Sequence, residues 1–221
     1  MALLQVQDRD AVREQLVAVL ERPVWLALFT AEKGCEYCDL TRELLAEISE
    51  LHDELSLAVY DLDADAGRAT ALGVDKAPAI AVLGGSEEND YGVRFYGIPS
   101  GYEFASLLEA IRMVGSDEAG LQPATRVFLE GLTVPLHLQV FVTPTCPYCP
   151  RAVVLAHRLA YASPYVTADM VEAMEFPELS ERYDVMGVPR TVISDAVHVE
   201  GAVPEAMLLA KLQAAVQTVA G

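Results

Sequence analysis

Two short apolar runs, each opened by a proline, stand out along the chain: Pro23-Val-Trp-Leu-Ala-Leu-Phe-Thr30 and Pro135-Leu-His-Leu-Gln-Val-Phe-Val142. Their length and their branched and aromatic content predict buried strands. An amphipathic helix is expected downstream of each. Leu40, Leu44, Leu45, Ile48 and Leu51 form one apolar stripe, and Ala152, Val153, Leu155, Ala156 and Leu159 form a looser second. A strand-like core follows at 57–62 and, more weakly, at 165–170, each leading into a short helix. Then Val74-Asp-Lys-Ala-Pro78 and Val185-Met-Gly-Val-Pro189 each run into an aliphatic stretch. Each half closes on a hairpin strand (91–97, 196–201) and a last helix (102–114, 204–219), and a leading helix is expected at 10–21 and at 124–131.

The order β-α-β-α-β-β-α therefore occurs twice, and an internal repeat governs the reading of the whole chain. Its landmarks keep their spacing, with 43 positions from Cys35 to Pro78 and 43 from Cys146 to Pro189. The polar, glycine- and proline-containing stretch 115–123 reads as a linker, which places the boundary between units 1–119 and 120–221. The expected fold class is α/β, with a central mixed sheet flanked by helices in each unit.

Charge narrows the range of partners. At −18, the chain lacks the basic surface from which nucleic-acid affinity is drawn, so no nucleic acid is expected. No apolar run approaches the ~20 residues of a spanning helix, so no membrane is expected. The first ten residues lack the charged and apolar regions of a secretory signal, which points to the cytoplasm.

All four cysteines fall into two Cys-x-x-Cys pairs, Cys35/Cys38 and Cys146/Cys149. In a reducing compartment such pairs indicate redox chemistry or metal binding. Cys38 and Cys146 stand 108 positions apart, beyond the insert of a zinc ribbon, and each pair has its own strand, helix and proline. No metal and no other cofactor is expected. A cysteine in the first turn of a helix meets unpaired backbone N–H groups and the positive end of the macrodipole. An interaction of up to ~2 kcal/mol there lowers a thiol pKa by more than one unit, enough to supply thiolate near neutral pH. Cys35 and Cys146 are thus the expected attacking thiols and Cys38 and Cys149 the resolving ones. Glu36 opposes ionisation of its neighbours, whereas Pro147 rigidifies its loop, so Cys146 is expected to be the more acidic. Asp61, Asp63 and Asp65 alternate as in a calcium loop, but Ala66 and Leu72 occupy the positions that need glycine and glutamate, leaving a solvated turn.

Strand, Cys-x-x-Cys, helix and then Val-x-x-x-Pro before a strand and hairpin together resemble the thioredoxin and glutaredoxin superfamily. Cys146-Pro-Tyr-Cys149 looks like the glutaredoxin active site. The tandem of Cys35-Glu-Tyr-Cys38 and Cys146-Pro-Tyr-Cys149 is similar to the protein disulfide oxidoreductases of thermophilic archaea and bacteria. The resemblance implies an enzyme that forms, reduces or isomerises protein disulfides. It also implies cis prolines at Pro78 and Pro189 facing the redox pairs and binding substrate, with electrons exchanged with a thioredoxin-reductase-like flavoprotein. Two departures stand out. Thioredoxins bury an acid six positions before the first cysteine, where this chain has Phe29 and Val140. Glutaredoxins carry a late glycine pair that helps hold glutathione, where it has Gly201-Ala-Val-Pro204. Two other functions stay open: a dedicated electron donor to a peroxiredoxin, and a non-catalytic binding or scaffold module.

Overall fold

The computed structural model describes residues 5–219. Two compact units form, and they are not divided at one point. Residues up to Asp90, with 96–98 and 111–118, make the first, while 91–95, 99–110 and 119 onward make the second.

In the first unit the helix α1 (Val6–Val17) precedes the strand β1 (Val24–Thr30). α1 begins and ends four residues earlier than its apolar pattern predicts. Its first turn, which begins with the exposed Val6, lies mostly at the surface, and Leu20 bonds back to Leu16 in a closing turn ahead of Pro23. β1 leads to α2 (Cys38–Ser49), β2 (Leu55–Asp61), the short α3 (Ala66–Ala71) and β3 (Ala79–Gly84). β1 lies between the other two strands, parallel to β2 and antiparallel to β3. A strand covered on both faces has no polar side, which is why β3 reads Ala-Ile-Ala-Val-Leu-Gly and is buried at every position. α2 packs Leu44, Leu45 and Ile48 inward; Leu40, assigned to this stripe by spacing, is 38% exposed instead.

β4 (Asn89–Tyr96) and α4 (Glu103–Ser116) contribute residues to both units. The second unit continues with α5 (Pro123–Glu130), β5 (Leu136–Val142), α6 (Cys149–Tyr161), β6 (Val166–Glu172), α7 (Pro177–Arg182), β7 (Arg190–Ile193), β8 (Val197–Glu200) and α8 (Glu205–Val219). Its strand order is β4-β6-β5-β7-β8. β5 is parallel to β6 and antiparallel to β7, repeating the pairing around β1. Leu138, Val140 and Phe141 of β5, Val153, Ala156 and Leu159 of α6, and Leu208, Leu212 and Ala215 of α8 supply its core.

Strand register decides what meets at the sheet ends. Thr30 at the end of β1 lies opposite Asp61 at the end of β2, and Phe29 lies opposite Ala79, the residue after Pro78. Val142 lies opposite Glu172, and Phe141 opposite Arg190, the residue after Pro189. In each unit the cysteine loop and the proline loop therefore leave the same end of the sheet.

Candidate functional site

Each cysteine pair is closed as a disulfide, with Cα atoms 5.5 Å apart. The loop after β1 carries Cys35 and delivers Cys38 as the first residue of α2; the loop after β5 carries Cys146 and delivers Cys149 as the first residue of α6. This revises the expected placement. The leading cysteine lies in the turn before the helix, and the trailing one opens it. The helix end still acts on the leading sulfur, because the Cys149 backbone N–H donates to Cys146 Sγ at 3.1 Å. In the first unit the Thr41 backbone N–H and hydroxyl both donate to the Tyr37 carbonyl, at 2.8 and 2.7 Å, fixing the turn over the helix start. Cys149 is fully buried and Cys146 is 8% exposed, while Cys35 is more open than its partner Cys38.

The bonds Ala77–Pro78 and Val188–Pro189 are both cis. The Pro78 carbonyl accepts from the Gly97 N–H at 2.9 Å and the Pro189 carbonyl from the Gly201 N–H at 2.8 Å, which anchors each proline loop. Asp61 Oδ1 accepts from the backbone N–H groups of Asp63 and Ala64, and Asp65 Oδ2 from that of Asp61. These carboxylates build a turn.

Two acids escaped the sequence reading. Glu103, in the first turn of α4, is 1% exposed, and burial pushes its pKa up to about 7 against a hydrogen bond from the Ser106 hydroxyl. Its Oε1 has no hydrogen-bond partner among the described residues. The preceding residue ties it to the second redox loop, because the Tyr102 N–H donates to the Pro144 carbonyl at 3.0 Å, two positions ahead of Cys146. Glu172, at the end of β6, is also buried, and burial raises its pKa against hydrogen bonds from the backbone N–H groups of Glu175 and Met174. A usable signal existed for Glu172: Asp61 and Glu172 keep the 111-position offset of the two cysteine pairs. None existed for Glu103, which follows the residue that makes the long-range contact to Pro144.

That contact requires Gly101. Its φ is +58°, and a Cβ there would stand 2.3 Å from the Pro144 carbonyl oxygen. Gly101→Ala should therefore lower stability by about 2 kcal/mol or more in denaturant unfolding and slow exchange at the Cys146 pair. An unchanged midpoint with an unchanged rate would show that the contact is dispensable.

A thioredoxin-domain family profile matches residues 136–214. The protein disulfide oxidoreductase of Aeropyrum pernix is 32% identical, with 97% of this chain and 94% of that one covered at a TM-score of 0.89. The chain belongs to the protein disulfide oxidoreductase family of tandem thioredoxin-like proteins. The NTD_N/C domain of the alkylhydroperoxide reductase AhpF from Enterococcus faecalis is 26% identical, with 94% and 98% of the two chains covered and a TM-score of 0.85. The alkyl hydroperoxide reductase F-subunit of Staphylococcus epidermidis is 28% identical over 202 residues, 91% of this chain but 37% of that protein. The chain thus spans a little over a third of the length of the curated relatives it matches. Family and geometry agree on the architecture: each thioredoxin-like unit carries one closed Cys-x-x-Cys pair where a strand turns into a helix. Among the described residues, no helix is long and apolar enough to cross a membrane.

Proposed function

We propose that the chain is a protein disulfide oxidoreductase whose two pairs each exchange electrons with cystines or dithiols of other proteins. The observation that carries this reading is the junction repeated in both units: a disulfide at the start of a helix, and a cis-proline loop leaving the same sheet end. In the reducing direction the thiolate of Cys35 or Cys146 attacks one sulfur of a substrate disulfide, forming a mixed disulfide and expelling the other sulfur as thiolate. Cys38 or Cys149 then attacks the enzyme sulfur, closing the intramolecular disulfide and releasing the second substrate sulfur. Two electrons pass to the substrate, and two protons follow according to pH. In the oxidising direction the steps run backwards. The loops of Pro78 and Pro189 hold the incoming chain beside the sulfurs. Glu103, whose burial pushes its pKa up to about 7, follows the residue that holds the Pro144 carbonyl and so acts as a positioning residue for the second redox loop.

The cytoplasm suits pairs that must be reduced again, and a thioredoxin-reductase-like flavoprotein is the proposed electron source. A second reading, electron donation to a peroxiredoxin, is favoured by the likeness to the alkyl hydroperoxide reductase proteins of Staphylococcus epidermidis and Enterococcus faecalis. Insulin reduction with dithiothreitol tests the first reading, since no acceleration by the chain would refute it. Faster peroxide turnover with a peroxiredoxin than with generic disulfides would favour the second.

The amide donated to Cys146 Sγ and the carboxylate of Glu36 beside Cys35 both point to Cys146 as the more acidic leading thiol. Thiolate absorbance titration of reduced variants carrying one pair each should give the lower pKa to Cys146. A lower value for Cys35 would reverse the ranking.

A further inference from the structure

The constant offset of 111 positions lets the two redox sites be compared residue by residue. It maps Cys35 onto Cys146, Asp61 onto Glu172 and Pro78 onto Pro189. In each unit three loops leave the active end of the sheet: the cysteine loop, the loop after the second strand and the loop before the cis proline. At 31–37, 62–65 and 74–77 in the first unit, these loops hold five carboxylates (Glu32, Glu36, Asp63, Asp65, Asp75) and two lysines (Lys33, Lys76). The corresponding segments of the second unit, 142–148, 173–176 and 185–188, hold one carboxylate, Glu175, and no lysine.

The contrast is sharpest at three matched, exposed positions. The loops at the active end of the first unit carry Glu36, Asp63 and Asp75 where those of the second carry Pro147, Met174 and Met186. Met174 is 78% exposed, Met186 86% and Tyr148 64%. Long apolar side chains that open are unusual on a surface otherwise so acidic. Met186 also lines a cleft of about 320 Å³ with Gly187, Val188, Pro189, Arg190 and Glu200, beside the cis proline. In the first unit Lys76 is paired with Asp75 and lies 3.9 Å from the Tyr96 ring centroid, so that pair is locally neutral and the remaining carboxylates still outnumber Lys33.

We infer that the two pairs are specialised by the flanks of the cystine they accept: the first unit takes polypeptide cystines flanked by basic residues, the second those flanked by apolar residues. This deepens the exchange reading above and rests on it. In the first unit, the excess of carboxylates on the loops at the reacting end attracts a basic chain and repels an acidic one, an effect that salt screens. In the second, unbranched methionine side chains adapt to varied apolar partners, and a rim with few charged groups leaves little flanking charge to be desolvated.

The test uses two full-length variants, Cys146→Ser/Cys149→Ser and Cys35→Ser/Cys38→Ser, each leaving one pair. Each is reduced with dithiothreitol, freed of it and mixed with three cystine peptides of equal length, flanked by lysines, leucines or glutamates. Enzyme dithiol is oxidised to disulfide as peptide disulfide is reduced to dithiol. At ~0.01 M salt the first unit should prefer lysine over glutamate flanks by roughly tenfold, a preference largely lost at ~1 M, where the Debye length shrinks to about 3 Å. The second unit should prefer leucine flanks and respond little to salt. Asp63→Met/Asp75→Met should erase the lysine preference, and Met174→Asp/Met186→Asp should create it. Glu36 and Pro147 stay unchanged, so that redox tuning of the thiols does not enter. Equal rates on all three peptides, independent of salt, would overturn this inference while leaving the exchange reading intact. No turnover of any peptide by either variant would overturn both.

Discussion

Cys35→Ser/Cys146→Ser should reduce insulin no faster than dithiothreitol alone, although both trailing cysteines remain. A hydroxyl forms no mixed disulfide, and the buried Cys38 and Cys149 are poorly placed to meet a substrate sulfur first. Each single variant should keep the rate of the intact unit, so their difference apportions activity between the pairs. The trailing cysteines give the complementary result. With Cys149→Ser, Cys146 still attacks but nothing resolves the adduct. In a chain whose first pair is also removed, the variant should accumulate one covalently bound substrate per molecule, visible as a mass increase that added dithiothreitol reverses. Wild-type turnover by the double serine variant, or no adduct with the trailing variant, would remove the assigned roles.

Much of this architecture could be read from local signals. Pro23 and Pro135 open the central strands, and the matched spacing from Cys35 to Pro78 and from Cys146 to Pro189 carries the duplication. These elements are set by short-range patterns: branched residues over one strand length, or a cysteine at a strand-to-helix turn. The misjudged features depend on tertiary contacts. Leu40 fits the helical period, yet it is 38% exposed, because spacing alone carries no information about what packs against a residue. The placement of Cys35 and Cys146 ahead of their helices needs turn geometry, which two cysteines three apart do not specify. The interleaving of the compact units depends on residues 91–95 and 99–110 grouping with the second unit, while the sequence marks only the polar stretch 115–123. Phe29 and Val140 stand where thioredoxins bury an acid, and the buried acids Glu103 and Glu172 come instead from α4 and β6.

Glu103 makes the strongest prediction about pH. In the folded protein its carboxyl keeps its proton up to about pH 7, whereas in the unfolded chain it loses it near the ordinary value of 4.5. Between those values the folded state binds more protons than the unfolded state, so this group's contribution to stability falls as pH rises through the window. Above pH 7 the buried carboxylate is ionised and the whole penalty is present, about 3 kcal/mol for a shift of this size. Glu103→Gln removes the charge and retains an oxygen for the Ser106 hydroxyl. The variant should therefore exceed wild type in unfolding free energy by about 3 kcal/mol at pH 8 relative to the difference at pH 4.5. Referring the comparison to low pH cancels the cost of the partnerless position, which exists in both proteins. Denaturant unfolding at several pH values measures this, and a difference that does not change with pH would show that the carboxyl does not titrate in that window. The exchange rate should respond as well. Ionisation of a buried carboxyl one residue from the Pro144 contact should disturb the second redox loop, so Glu103→Gln should flatten the pH dependence of exchange at the Cys146 pair near pH 7. A pH–rate profile identical to wild type would confine Glu103 to a structural role.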